Sequence, residues 1–248
     1  MSKVKWNVIQ KADNPSQLDI YLYDDIESDS YDWWTDEVIE SETSAKHIKN
    51  VLESNPNVTQ INLYINSYGG EVKEGLGIFN QLQRHTATKT AYIDGFACSI
   101  ASVIAMACDK VVMGPNSLMM IHHASMSVYG NAEELRKAAT DVETIDKASC
   151  SSYLLKAGDK LSEETLNTLL DNQTWLNAQQ CFEYGLCDEI TGQEDTTITI
   201  AKQQYKAYIS QKLNKDIPKP KVPEQFTKQL TNYQKLRQKF MKEGMKNE

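Results

Sequence analysis

The sequence predicts an α/β domain of repeated β-α units around a largely parallel sheet, with one long protruding helix. Three observations predict it. Between about residues 18 and 121, short apolar runs alternate with segments whose apolar residues recur every three or four positions. Such alternation implies helical crossovers between parallel strands. Beyond residue 121 the texture changes to a long helical stretch, opened by a capping pattern at Asn131 and closed by Gly158.

The elements follow in order. Residues 18–24, Leu-Asp-Ile-Tyr-Leu-Tyr-Asp, alternate as a strand does. Residues 24–36 are acidic, hold Tyr31, Trp33 and Trp34, and read as a surface loop. Residues 44–53 place Ala45, Ile48, Val51 and Leu52 on one helical face, with Thr43 or Ser44 as the cap. A strand at 61–66 precedes a helix over about 71–84, in which Val72, Leu76, Phe79 and Leu82 keep helical spacing. A strand at 90–93, a helix at 99–107 and strands at 110–112 and 117–121 follow. Asn131-Ala-Glu-Glu134 has the spacing of a capping box and opens a helix to about residue 156. Ser162 caps another helix, with Glu163 and Glu164 in its first turn. Asn177 caps a short one that ends at Gly185. Pro218, Pro220 and Pro223 mark a linker, and 224–246 reads as a solvated helix or a disordered stretch. The expected division is a domain over 1–195 and a basic, Pro-containing tail over 196–248.

Composition narrows the function. The apolar share of 40% supports a sizeable core. Five cysteines, with no CxxC pair, favour reduced thiols over a disulfide scaffold or a zinc site. No apolar run resembles a signal peptide, and the longest, at 97–107, is too short to span a bilayer. The expectation is a soluble, cytoplasmic protein without membrane contact. The net charge of −8 hides an asymmetry. The tail from 196 to 248 holds twelve Lys/Arg against four Asp/Glu, a net of +8, and the remainder holds fourteen against thirty, a net of −16. An acidic body repels phosphates, which argues against nucleic acid as its partner.

Three short motifs carry the chemistry. Residues 61–70 are a strand ending in Gly69-Gly70. Residues 95–101, Gly-Phe-Ala-Cys-Ser-Ile-Ala, form a small-residue turn whose Ser99 leads into an apolar helix. Residues 119–123 are a strand running into His122-His123. A serine becomes a useful nucleophile only beside a base, with donors waiting for the oxyanion. Taken singly, each motif reads more simply as structure: a tight turn, a packed small-residue helix, a structural histidine. Their ordered combination is what points to acyl transfer. His47 and His85 fall on helix surfaces and read as solvated.

From about residue 18 to 190 the chain resembles the Clp-type serine peptidases, most of all their phage- and prophage-encoded branch. Tyr-Ile-Asn-Ser-Tyr-Gly-Gly is similar to that family's glycine turn, and Asp-Gly-Phe-Ala-Cys-Ser-Ile-Ala-Ser to its nucleophile turn. Met-Ile-His-His is similar to its histidine strand, Gly130-Asn-Ala-Glu-Glu-Leu-Arg-Lys to the start of its handle-like helix, and the blocks around Trp175 and Tyr184 to the close of its head domain. The resemblance implies a Clp/crotonase-like fold, Ser99 as nucleophile, His122 as base, and the Gly70 and Ile100 amides as oxyanion hole. It implies extended substrate beside Glu71-Val72 and the segment after His123. It also implies homo-oligomeric rings, protein or peptide substrates, and no metal or organic cofactor. In the phage-like branch the work is prohead maturation, with capsid or scaffold precursors as partners and no ATP requirement. General degradation with an AAA+ unfoldase is the variant.

Two positions depart from the family pattern. Tyr68 stands where a proline is usual, and Gln173 where the acid of the triad is usual. Asp171 serves as the acid if its loop bends. Otherwise a neutral amide orients His122, or the site is a dyad. Two rivals follow. One is a structural or scaffold protein with weakened catalysis. The other is a crotonase-type acyl-CoA enzyme, against which the order serine-then-histidine argues.

Overall fold

The computed structural model describes residues 9–10 and 14–192. Along the chain run β1 (Ile9–Gln10), β2 (Gln17–Leu22), β3 (Ser30–Asp32), β4 (Glu37–Ile39), α1 (Ala45–Ser54), β5 (Gln60–Ser67), α2 (Val72–Arg84) and β6 (Thr88–Cys98). Then come α3 (Ile100–Ala105), β7 (Lys110–Met113), β8 (Leu118–Ile121), α4 (Ala132–Ala157), α5 (Glu163–Asp171), β9 (Thr174–Asn177), α6 (Ala178–Glu183) and β10 (Glu189–Ile190). The chain divides into units spanning 1–193 and 194–248. The second lies outside the described residues, and with it the expected basic tail and its proline linker.

One sheet has the order β1-β2-β5-β6-β7-β10, with β8 beside the far half of β6 and β9 beside β8. All its pairings are parallel except those of β1 with β2 and β9 with β8. Alternation decides which side chains enter the core. Leu18, Ile20 and Leu22 of β2 and Ile61, Leu63 and Ile65 of β5 are buried, and they share one core with Ile48 of α1, Ile78 and Leu82 of α2 and Ile104 of α3. The intervening positions are polar and aromatic. Tyr21, Tyr64 and Tyr92 stand in register on three neighbouring strands, their rings stacked at 4.7 and 5.1 Å.

The β-α alternation, the parallel sheet and the long helix match the expectation. Three details differ. First, β6 is eleven residues long and carries Gly95–Cys98 as strand, where the sequence suggested a turn. The pairing of β5 with β6 shifts register between Ile65 and Ser67, and the Asn66 side chain accepts from the Phe96 amide at 3.1 Å across the irregularity. Beyond it, Phe96–Cys98 pair with β8. The turn is thereby confined to Ser99. Second, the acidic loop contains a short hairpin, β3-β4, with Trp33 and Trp34 almost fully exposed at its tip. Third, β9 and β10 are strands the sequence reading did not place.

The caps form as the spacing predicts. The Ser44 hydroxyl accepts from the His47 amide at the start of α1. Asn131 and Glu134 make a reciprocal capping box on α4, Ser162 caps α5, and Asn177 with Gln180 boxes α6. α4 runs 26 residues and ends at Gly158, whose φ of 56° suits a residue without a Cβ. Most of its length is exposed, and only its last turns are buried, through Ser152, Tyr153 and Ala157. Tyr153 ties α4 to the nucleophile turn. The Ser102 hydroxyl donates to the Ser99 carbonyl at 2.5 Å and lies 2.6 Å from the Tyr153 hydroxyl. Ser102 has one hydroxyl hydrogen, so Tyr153 is the donor to it. We expect Tyr153→Phe to cost about 1–2 kcal/mol and lower Tm by about 2–6 °C, read by thermal melting. An unchanged Tm would mean the hydroxyl pair contributes nothing net.

Candidate active site

The site lies where β6 gives way to α3. At Ser99 the chain adopts φ 52°, ψ −129°, a conformation that L residues rarely take. Such a backbone costs about 1–3 kcal/mol and persists only where its surroundings impose it. Here the Ser99 amide donates to the Met120 carbonyl at 2.8 Å, its carbonyl accepts from Ser102, and the pairing of Cys98 with Met120 fixes the approach. The hydroxyl makes no capping bond to α3. It lies 2.8 Å from His122 Nε2. His122 is the first residue past β8, and the pairing of Cys98 with Met120 brings that end of β8 alongside Ser99. Strand alternation then sends His123 the other way, as expected.

The glycine turn packs against this corner. A Cβ on Gly69 (φ 101°) would fall 2.7 Å from the Ser99 Cβ and 3.2 Å from the Ile100 nitrogen. A Cβ on Gly70 (φ 145°) would fall 2.1 Å from the Ile26 carbonyl oxygen. Ile26 closes the turn: its amide donates to Gly69 and its carbonyl accepts from the Glu71 amide, both at 2.7 Å. Among the described residues the amides of Gly70 and Ile100 have no hydrogen-bond partner. These are the two donors the sequence singled out. Tyr68, in the proline position, leaves the turn intact and packs edge-on against Phe96.

Two expectations need correction. Asp171 does not serve His122. It is the last residue of α5, so it belongs to a helix and not to a loop free to bend. Its carboxylate lies 3.2 Å from Nε2 of His123. Gln173 does not take its place. It occupies the left-handed position just after α5, with φ 48°, its amide donating to Leu170, and its exposed side chain makes no hydrogen bond among the described residues. His122 Nδ1 likewise has no partner among the described residues. The second correction concerns substrate. The Glu71 amide is taken by Ile26, its carbonyl accepts from Gly75, and Val72 opens α2. The edge at 71–72 is therefore not free for an added strand, and in the segment after His123 the Ala124 amide is taken by Asp146.

Two features had no signal in the sequence. His123 Nδ1 lies 2.6 Å from Oδ2 of Asp146 on α4, and the Ala124 amide donates to Oδ1 of the same carboxylate at 2.7 Å. Ile26 as the closing residue of the glycine turn is the other. Both contacts join segments far apart in sequence. Cys98, next to the nucleophile, is buried, and burial pushes its thiol up to about 11. It stays protonated near neutral pH and offers no rival nucleophile. His85 ends α2 and its Nδ1 accepts from the Ala87 amide, with burial lowering its affinity for a proton.

A family model described as Clp protease matches residues 33–194. The chain belongs to the Clp protease family. Among curated relatives, an ATP-dependent Clp protease proteolytic subunit of Bacteroides fragilis is 30% identical over 132 residues, 52% of this chain and 63% of that protein. The corresponding subunit of Ligilactobacillus salivarius is 32% identical over 141 residues, 56% of this chain and 71% of the relative. The chain thus spans less than two thirds of the Bacteroides relative's length. Among solved structures, a ClpP1 mutant from Listeria monocytogenes is similar with a TM-score of 0.57 and 20% identity, covering 71% of this chain and 92% of that one. That likeness supports the fold, a Clp-like α/β arrangement with a mostly parallel sheet. Among the described residues no helix is long and apolar enough to cross a membrane.

Proposed function

We propose that this Clp-family chain is a serine-type endopeptidase that uses Ser99 and His122 as a dyad. The observation that carries the reading is the 2.8 Å contact between Ser99 Oγ and His122 Nε2, beside two amides that have no partner among the described residues. In the reaction Ser99 Oγ attacks the scissile carbonyl while His122 Nε2 accepts its proton. The oxyanion is received by the Gly70 and Ile100 amides. The tetrahedral intermediate collapses, His122 returns the proton to the leaving amine, and water then hydrolyses the acyl-serine by the same path. The chemistry requires no cofactor.

The resemblance to the phage-like branch supports ring assembly from copies of this chain in the cytoplasm. It also supports ATP-independent processing of capsid or scaffold precursors in prohead maturation, rather than degradation fed by an unfoldase. A second reading, a scaffold with weakened catalysis, draws on the lack of a carboxylate at His122 Nδ1 among the described residues, because an unassisted imidazole stabilises its protonated form poorly. Labelling decides between them. A fluorophosphonate is expected to modify the purified protein at Ser99, mapped by peptide mass. No adduct at Ser99, with the protein folded, favours the scaffold.

The oxyanion hole has its own test. We expect Gly70→Ala to lower peptide turnover by about 10²–10³-fold, since the new methyl cannot fit against Ile26 and the amide must move. Turnover near wild type would remove Gly70 from the hole.

A further inference from the structure

We infer that His123, Asp146 and Cys150 form a binding site for a zinc-class divalent cation, separate from the Ser99-His122 pair. Their ligating atoms (Nδ1, a carboxylate oxygen and Sγ) all lie within 4.8 Å of one another. Asp146 and Cys150 are one turn apart on α4 and so share a helix face, and His123 reaches them from the end of β8. The Cys150 Sγ is 3.6 Å from the same Asp146 oxygen that faces the imidazole.

The imidazole contacts point to a cation. Both ring nitrogens of His123 face carboxylates, Nδ1 to Asp146 at 2.6 Å and Nε2 to Asp171 at 3.2 Å. An ionised carboxylate only accepts, and a neutral imidazole has a single N–H. A neutral ring therefore serves only one of the two carboxylates: with the hydrogen on Nδ1 it donates to Asp146 at 2.6 Å, and with the hydrogen on Nε2 for Asp171 the Nδ1 lone pair is free to ligate. In the second arrangement Nδ1 and the Asp146 oxygen part by less than about 1 Å to admit an ion, and the third donor converging there is a sulfur. The outer contacts suit a ligand set. Metal-bound histidines usually donate their other N–H to a carboxylate, the place Asp171 takes. The Ala124 amide holds the second oxygen of Asp146, aiming the first inward.

Donor type selects the ion. Calcium and magnesium prefer all-oxygen shells, whereas one imidazole, one carboxylate and one thiolate suit zinc and its neighbours. Three protein donors leave a fourth position for water. Binding exchanges the thiol proton for the metal: the S–H bond breaks, an S–metal bond forms, and the proton passes to buffer, with no change of oxidation state. The His123 side chain is 37% exposed and that of Asp146 17%, so a hydrated ion can enter from the edge. Once bound it would staple the exit of β8 to α4, one residue from His122.

The test uses the full-length, reduced protein stripped with chelator. Zinc titration by calorimetry is expected to give one ion per chain, with proton release to buffer. Cobalt(II) is expected to give a near-ultraviolet thiolate-to-metal band. Cys150→Ser should abolish the band and weaken zinc at least about tenfold, and Asp171→Asn should weaken it about 10–100-fold. Cys150→Ala is the second variant, and circular dichroism confirms that each variant is folded. No uptake by wild type overturns the site and leaves His123 as a ring hydrogen-bonded between two carboxylates. Uptake unaffected by either Cys150 variant overturns it too, because the ion then sits elsewhere.

Discussion

Ser99→Ala is expected to reduce peptide turnover by about 10⁴-fold or more while leaving the fold and its melting temperature close to wild type. The size follows from what is removed. Without the hydroxyl no acyl-enzyme forms, and only the oxyanion donors and substrate binding remain to assist water, an assistance worth about 10³–10⁴ over the uncatalysed reaction. The near-normal fold follows from what is kept. The Ser99 backbone contacts to Met120 and Ser102 do not involve the side chain, and the hydroxyl caps no helix. Steady-state hydrolysis of a fluorogenic peptide by the purified variant is the measurement. Hydrolysis at the wild-type rate would remove Ser99 from the mechanism.

His122→Ala is expected to cost about 10³-fold or more, and His123→Ala less than about tenfold. Loss of the base removes proton transfer in both halves of the reaction, typically worth 10²–10⁴, and leaves Ser99 unactivated. His123 faces away, toward Asp146 and Asp171. Its partly exposed contacts with these two carboxylates are worth about 1 kcal/mol or less each. Its loss should appear as a lower Tm more than as lost turnover. Parallel kinetics and melts of the two variants give the comparison, and equal kinetic effects would contradict the register that places only one histidine beside the nucleophile.

That register was legible because alternation along a strand is a strict rule. Residues 118–121 read as a strand in sequence, so two consecutive histidines at its end had to diverge. The helix caps were legible for a similar reason: Asn131 with Glu134, Ser162 and Asn177 act on amides two or three residues away, and nothing distant competes. The nucleophile turn was half legible. Its small residues and its serine stood out, but Gly95–Cys98 became strand through the Asn66 side chain and through pairing with β8, contacts made by residues remote in sequence. The partner of Asp171 was not legible. It depends on where α5 stops and on how α5 meets the end of β8, and no local pattern encodes that packing. The β3-β4 hairpin has no sequence signal because none of its strand residues is buried, so no apolar alternation marks it.

The strained backbone at Ser99 has a practical consequence for anyone who wants an inert form of this protein, for instance to trap a bound substrate. Alanine deletes the hydroxyl but keeps the Cβ, so it inherits the unfavourable φ of 52°. Glycine deletes both and adopts that geometry without steric cost. An engineer therefore has two differently silenced proteins at one position: an alanine form held as taut as the parent, and a glycine form in which that tension is released.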